Sequence, residues 1–321
     1  MKKYILLILT LISLTNGENL KFLEDKIYIE KPSTISLKST EKLESLDVVL
    51  KPKSVAVIGV STKKFAPGYE LLARLVEMKF KGPIYPINPK AKEILGLKVY
   101  KSILDVPGTV DLAAIIVKSS IVLDTIDMCH QKGVKGLVMI TAGFKEIDKE
   151  GALIEEELMR RVRKYGMRLV GPNCIGISNT NPSVSLDASF ALKVPNRGNV
   201  GLASQSGALI ASILNKVGNL NLGFSQFLSI GNQPDISAES LIEYWENDAD
   251  IELILLYMEG MKDFKHFRTL ASRISKKKPI VVLKSGSSAA GTRAALYHTG
   301  SIAGNDKFID TLFSIILYNF V

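Results

Sequence analysis

Cysteine is nearly missing from this chain: among 321 residues only Cys129 and Cys174 occur. Two thiols are too few for a disulfide scaffold, and their spacing matches no metal-binding pair. A reduced, cytoplasmic enzyme without a metal site is the expectation that follows. Long apolar runs are lacking too, since no stretch reaches the roughly 20 residues that a membrane-spanning helix needs. The mature protein is therefore expected to stay out of the membrane. Acidic residues fall short of basic ones, 32 against 41, which leaves a net charge of +9 and an isoelectric point near 9.3. That balance favours anionic partners. Nucleic acid is set aside, because the chain has no recognition motif and no interleaving of aromatic and basic residues of the kind that holds single strands. A polyanionic small molecule such as a nucleotide meets the same electrostatics. Surplus lysine, as in the run Lys276, Lys277, Lys278, also serves plain solubility.

Short-period repeats and low-complexity tracts are absent as well. The length fits two domains of about 150 residues each, and the 46% apolar content is that of a globular protein. One segment stands apart. In "MKKYILLILTLISLTNG", Lys2 and Lys3 precede an apolar run from Tyr4 to Leu14, the shape of a signal peptide, although an A-x-A cleavage pattern is missing. Residues 1–45 are expected to be a leader-like or appended segment, which leaves secretion or organelle import open beside the cytoplasm.

From Lys51 onward, short β-branched runs alternate with amphipathic stretches, the pattern of a parallel sheet with crossover helices. In the first half, strands are expected at Val55–Ile58, Ile84–Ile87, Leu112–Val117, Gly136–Ile140 and Arg168–Val170. Helices are expected at Tyr69–Met78, Ser120–Gln131 and Glu150–Tyr165, with Gly133 and Gly166 as stop signals. The segment "GPNCIGISNTNPSVSLDASFALKVPNRGN" breaks the rhythm with Pro172, Pro182 and Pro195 and reads as a connector. A second alternation follows, with strands at Val200–Ala203, Gly223–Leu228, Leu253–Tyr257 and Ile280–Leu283. Its helices fall at Ala208–Val217, Ser237–Asn247 and Phe264–Ser275. The boundary lies close to Asn181, giving units at 46–180 and 181–321. The fold class is α/β, and right-handed crossovers make the first unit doubly wound.

Four stretches carry chemistry. In "VAVIGVSTKKFAPGYE" a strand runs into a small-residue turn at Gly59 and Ser61 and then into a helix, where backbone amides and the helix start can cradle a phosphate. It is not a full G-x-G-x-x-G. No acidic residue ends the second strand to hold a ribose; "PINPKA" places Lys90 there instead. A cation at that point suits a phosphorylated ribose, which argues against NAD and for a 3'-phosphorylated nucleotide such as coenzyme A. An ordinary α/β turn with a surface lysine is the competing reading. In "GLASQSGALIASIL", Ser206 and Gly207 open a helix and make an anion site by geometry and dipole, or serve as plain N-caps. "LILLYMEGM" puts Glu259 directly after an apolar strand, at the edge where α/β ligands bind. "GPNCIGI" puts Asn173 and Cys174 at the end of the first unit's last strand, with no basic partner nearby to activate the thiol.

A fifth stretch, "SGSSAAGTRAALYHTGSIAGND", follows the last strand and holds His298 among glycines and small residues. Little apolar surface surrounds that histidine, so it suits a loop that approaches a ligand, although an idle, solvated histidine has the same neighbours. Ser206, Glu259 and His298 all fall at one edge of the second sheet. Together they supply an anion-binding helix end, an orienting carboxylate and a nucleophile.

With these motifs in order, the chain resembles the NDP-forming acyl-CoA synthetases, in particular the alpha-subunit portion of ADP-forming acetate–CoA ligases, relatives of succinyl-CoA synthetase. The likeness runs from about Leu46 to Asp310. It rests on "LKPKSVAVIGVS", "YPINPKAKEILGLKVYKS", "TAGFKE", "RLVGPNCIGI", "SQSGAL", "SIGNQPD", "YMEG", "KKKPIVVLKSG" and "HTGSIAG". The resemblance implies a Rossmann-like, coenzyme A-binding first domain and a flavodoxin-like ligase domain. It implies that His298 is phosphorylated, that Glu259 positions it, and that Ser206 and Gly207 face the phosphohistidine. Gly59, Ser61, Asn88 and Lys90 match coenzyme A contacts, and Asn173 with Cys174 lies toward the thiol end. It implies, further, an ATP-grasp beta subunit carrying Mg-ADP or Mg-ATP, and a small carboxylic acid as substrate.

Departures from the family pattern add expectations of their own. The ATP-grasp module is absent, so the chain alone is not expected to use ADP. It stops after "FIDTLFSIILYNFV", unlike the family continuation, and is expected to be truncated. Lys118 stands where the family usually has proline. Two other functions compete: a non-catalytic coenzyme A-binding or sensing module, and an NAD(P) dehydrogenase, which Lys90 disfavours.

Overall fold

The computed structural model describes residues 46–217, 223–261 and 263–284. Residues 1–45 and the stretch carrying His298 lie outside the described residues. In the first half a short helix α1 (Asp47–Leu50) precedes β1 (Val55–Ile58), α2 (Pro67–Glu77) and β2 (Ile84–Ile87). A small hairpin, β3 (Glu93–Ile94) and β4 (Leu97–Lys98), follows, then β5 (Leu112–Ile115), α3 (Val122–Lys132), β6 (Gly136–Met139), α4 (Lys149–Lys164) and β7 (Arg168–Val170). The five long strands form one parallel sheet in the order β2-β1-β5-β6-β7. Strand order reverses between β1 and β5, and that switch point opens a crevice at the carboxyl edge.

Local chemistry explains these elements. β1, β5 and β6 are buried at every position, as continuous apolar runs must be when helices cover both faces. Helix α2 starts with Pro67 in its first turn, where no amide donor is needed, and buries Leu71, Leu72 and Leu75 on one face. Asp148 caps α4 by accepting from the Gly151 amide, and Arg161, Arg163 and Lys164 sit in its last turn against the negative end of the dipole. Lys118 has φ −63°, a value that proline would also adopt.

The second half comprises β8 (Gly176–Asn179), β9 (Leu186–Ser189), β10 (Arg197–Ser204), α5 (Gly207–Val217) and β11 (Phe224–Ser229). It continues with α6 (Ala238–Trp245), β12 (Leu253–Met258), α7 (Phe264–Ile274) and β13 (Ile280–Lys284). Their sheet runs β13-β12-β10-β11-β8-β9, parallel from β13 to β11, with the β8–β9 hairpin added antiparallel on the β11 side. The expected connector therefore contains two strands of the second sheet. By hydrogen bonding the β8–β9 hairpin, which begins before the expected boundary near Asn181 and extends past it, belongs to the second sheet. Prolines and asparagines mask the hairpin in the sequence; Pro182 and Asn181 belong to its turn, while Ile177, Leu186 and Ala188 are buried in its strands.

The two sheets share one core. A single apolar cluster joins Val57, Leu72, Ile177, Leu228, Trp245 and Leu256, so side chains of both units pack together. Backbone and side-chain bonds cross the same boundary: the Ile236 amide donates to the Leu169 carbonyl at 3.2 Å, and the Leu169 amide to the Asp235 carboxylate at 2.8 Å. Arg168 also pairs with Asp235 at 2.9 Å. The β7 edge of the first sheet is thereby satisfied by the second unit.

Candidate functional site

At the switch point of the first sheet, β1 ends at Gly59, whose φ is +92°. A Cβ there would lie 2.1 Å from the Ile116 carbonyl oxygen, so only glycine allows the strand ends to approach. Ser61 follows and accepts from the Lys63 amide at 3.0 Å. Asn88 reaches across from the end of β2 and donates from Nδ2 to the Val60 carbonyl at 2.7 Å. Its Oδ1 accepts from the Lys90 and Ala91 amides at 2.8 and 3.1 Å. Asn88 thus knits the two loops that border the crevice. Lys90, held on that turn, is exposed, together with Lys63 and Lys64. The loops that carry Gly59, Ser61, Asn88 and Lys90 are therefore held together, with exposed lysines on both of them, an arrangement that attracts anions.

Asn173 and Cys174 part company in the fold. Asn173 is half-buried with φ +58°, and its amide donates to the Thr141 carbonyl at 2.9 Å. The Cys174 thiol points inward and donates to the Met139 carbonyl at 3.3 Å. Burial pushes that thiol up to about 12, so it is a core group rather than a nucleophile.

The second sheet has its own switch point between β10 and β12. Ser204 pairs with Tyr257, so the chain leaves these two neighbouring strands side by side, one toward Ser206 and Gly207, the other toward Glu259. Ser206 caps α5 by accepting from the Leu209 amide at 3.4 Å, and its own amide donates to Ser204 Oγ at 3.1 Å. The N-cap reading of Ser206 is present in full, and the helix start it caps follows the carboxyl end of β10, beside the end of β12. Gly207 meets a different demand: a Cβ would lie 2.4 Å from Ile175 Cγ2, so the helix start packs directly on the segment that joins the two units. Glu259 is 5% exposed.

Three residues that sequence reasoning passed over complete the region. The Gln205 carboxamide accepts from the Glu259 amide and, at 3.0 Å, from the Gly260 amide, and donates to the Gly260 carbonyl at 2.9 Å. Asn232, in the loop after β11, donates to Glu146 and to Glu155 of the first unit and meets Asn173 at 3.4 Å. Burial raises the Glu146 carboxyl, but bonds from Asn232 and from the Gly143 and Phe144 amides outweigh it and hold the group below the usual carboxylate range. The only sequence signal for these residues was a polar side chain inside an otherwise small or apolar motif, in "SQSGAL", "SIGNQPD" and "TAGFKE". Among the described residues no group of three or more His, Cys, Asp or Glu could hold a metal ion, and no helix is long and apolar enough to cross a membrane.

Comparisons with known proteins match both units. Residues 53–180 match the CoA binding domain model, and residues 197–315 the succinyl-CoA ligase like flavodoxin domain model. The chain is similar to subunit alpha of acetate–CoA ligase [ADP-forming] II from Pyrococcus furiosus, 45% identical over 84% of this chain and 58% of that subunit. It is similar also to acetate–CoA ligase [ADP-forming] from Methanocaldococcus jannaschii, 46% identical over 82% of this chain and 36% of that protein. Among solved structures it resembles the dinucleotide forming acetyl-coenzyme A synthetase 1 of Ca. Korarchaeum cryptofilum, in complex with phosphate and ADP. The TM-score is 0.78 and the identity 40%, covering 84% of this chain and 58% of that one. The chain thus spans less than two thirds of the length of each of these three relatives.

Proposed function

We propose that this chain, which belongs to the NDP-forming acyl-CoA synthetase family, is the alpha-type part of an ADP-forming acid–CoA ligase. The reaction interconverts acyl-CoA, ADP and phosphate with the free acid, coenzyme A and ATP. One observation carries the reading: the buried Glu259 carboxylate leaves β12 beside the start of α5, at the switch point of the second sheet.

Coenzyme A lies along the first switch point, its phosphates near Gly59 and Ser61 and its ribose phosphate near Lys90, with Asn88 holding the two loops together. The thioester end reaches toward Asn173. Phosphate attacks the thioester carbonyl, coenzyme A leaves as the thiol, and an acyl phosphate remains. A neutral imidazole nitrogen of His298 then takes the phosphoryl group, and the acid leaves as its carboxylate. Glu259, accepting from the other ring nitrogen, fixes the tautomer and stabilises the imidazolium. The α5 start at Ser206 and Gly207 faces the phosphoryl oxygens, where amide donors and the helix dipole stabilise spreading negative charge. The phosphohistidine finally passes its phosphoryl group to ADP. Magnesium-bound nucleotide belongs to an ATP-grasp beta subunit, and the acid is a small carboxylic acid.

The test is phosphorylation of the assembled complex. With a cognate beta subunit and ATP labelled at the γ-phosphate, label is expected on the wild-type chain and none on His298→Ala. Glu259→Gln is expected to label more slowly by about 100-fold or more, the scale of a positioned acid–base group. A wild-type complex that assembles yet takes no label overturns the reading.

A further inference from the structure

Glu259 and Gly260 sit one step beyond the end of β12, where β10 has already turned away toward α5. The last ladder bond between these strands runs from the Gln205 amide to the Tyr257 carbonyl at 3.1 Å. Beyond it the ladder between β10 and β12 ends, and a turn in that position is normally the least determined part of a sheet edge. Here the Gln205 side chain carries the contact between the two segments one step further. Its Oε1 accepts from both amides and its Nε2 donates to the Gly260 carbonyl, as a further peptide group of β10 would. Gln233, from the loop after β11, donates to the same carbonyl at 3.3 Å. Gln205 itself is 6% exposed and directly precedes Ser206, the cap of α5.

From this geometry we propose that Gln205 is a positioning residue. Its carboxamide fixes the Glu259 turn relative to the start of α5, so that the carboxylate and the anion-binding amides keep one separation through the phosphoryl transfer. The proposal rests on the ligase reading above. Among side chains of this length, glutamine alone accepts from two amides and donates to a carbonyl in the same turn. Glutamate can accept but sets an oxygen against the Gly260 carbonyl, and methionine fills the volume without either bond.

The experiment compares wild type, Gln205→Met and Gln205→Glu in the complex with the beta subunit, following label transfer to the chain and coenzyme A affinity together. Both variants are expected to lose label-transfer rate by about 10-fold or more while coenzyme A affinity stays within twofold, since the first switch point lies on the other sheet. In Gln205→Glu the pH–rate profile is expected to move to higher pH, because an added carboxylate beside Glu259 disfavours ionisation of the second. A loss of packing alone would not produce that shift. Label on the wild type with equal rates in both variants overturns this proposal alone, and so does an unshifted profile or an equal loss of coenzyme A affinity. No label on the wild type overturns the ligase reading and this proposal with it. Should both variants fail to fold, amide exchange in the wild-type chain decides. Glu259 and Gly260 amides protected like those of β12 are expected, and exchange at the rate of an open loop overturns the clamp.

Discussion

The Asn232 carboxamide of the second unit donates to Glu146 of the first across 2.6 Å and to Glu155 across 2.8 Å. Lys145 balances this pair of carboxylates, reaching Glu155 at 3.0 Å and the Asn232 carbonyl at 2.8 Å. Asn232→Asp would replace two donors with a third carboxylate in a buried cluster. It is expected to destabilise the chain by about 3 kcal/mol, read as a lower urea midpoint. Asn232→Ala, which removes the donors without adding charge, is expected to cost less.

Asp187 gives a stability that depends on pH. It lies fully buried on β9, where Ser189 donates to its Oδ1 at 2.6 Å. Burial pushes its carboxyl up to about 7, only partly offset by the Ser189 bond and by Arg74. In the unfolded chain the group titrates near its ordinary value of about 4. Between these values the folded state holds a proton that the unfolded state has released, so this contribution falls as pH rises from about 4 to about 7 and is level above. Asp187→Asn is expected to flatten that part of the stability curve and to exceed wild type in melting temperature at pH 8. A curve that keeps the slope would count against the assignment.

Gly59→Ala tests the first switch point. The new methyl meets the Ile116 carbonyl oxygen at 2.1 Å on a backbone with φ +92°, so strain and overlap act together. A loss of at least about 2 kcal/mol is expected. Coenzyme A affinity by calorimetry should fall in parallel, because strand and loop must move apart to admit the methyl. An unchanged heat of binding would separate the glycine from the ligand.

Both thiols are expected to be inert in the folded chain. Cys129 and Cys174 are buried, and burial pushes each up to about 12. Attack on a disulfide reagent needs an accessible thiolate. At pH 8 neither should react within minutes, and both should react at once in denaturant; rapid native labelling of Cys174 would contradict its inward placement.

Among the described residues, periodicity in the chain located the parallel strands of both sheets and the crossover helices between them to within a few residues, because a buried strand or an amphipathic helix writes its environment into its own composition. Gly59, Asn88 and Lys90 could be placed at a carboxyl edge for the same reason: a strand end followed by a turn is local information. The β8–β9 hairpin could not be read that way. Its pairing partner β11 lies far along the chain, and its asparagines and prolines look like linker until Ser178 and Asp187 are seen pairing inside the sheet.

The side-chain bonds that complete the candidate site are non-local in the same sense. "SQSGAL" contains a glutamine and "YMEG" a glutamate, and no property of either motif requires them to meet. They meet because β10 and β12 pair with Ser204 opposite Tyr257, which carries Gln205 to the two amides that follow β12. Element type and edge position follow from short-range burial and turn chemistry, present in the amino-acid order alone. Which polar groups satisfy one another across those elements depends on strand register and on the docking of two units, and these exist only once the chain has folded.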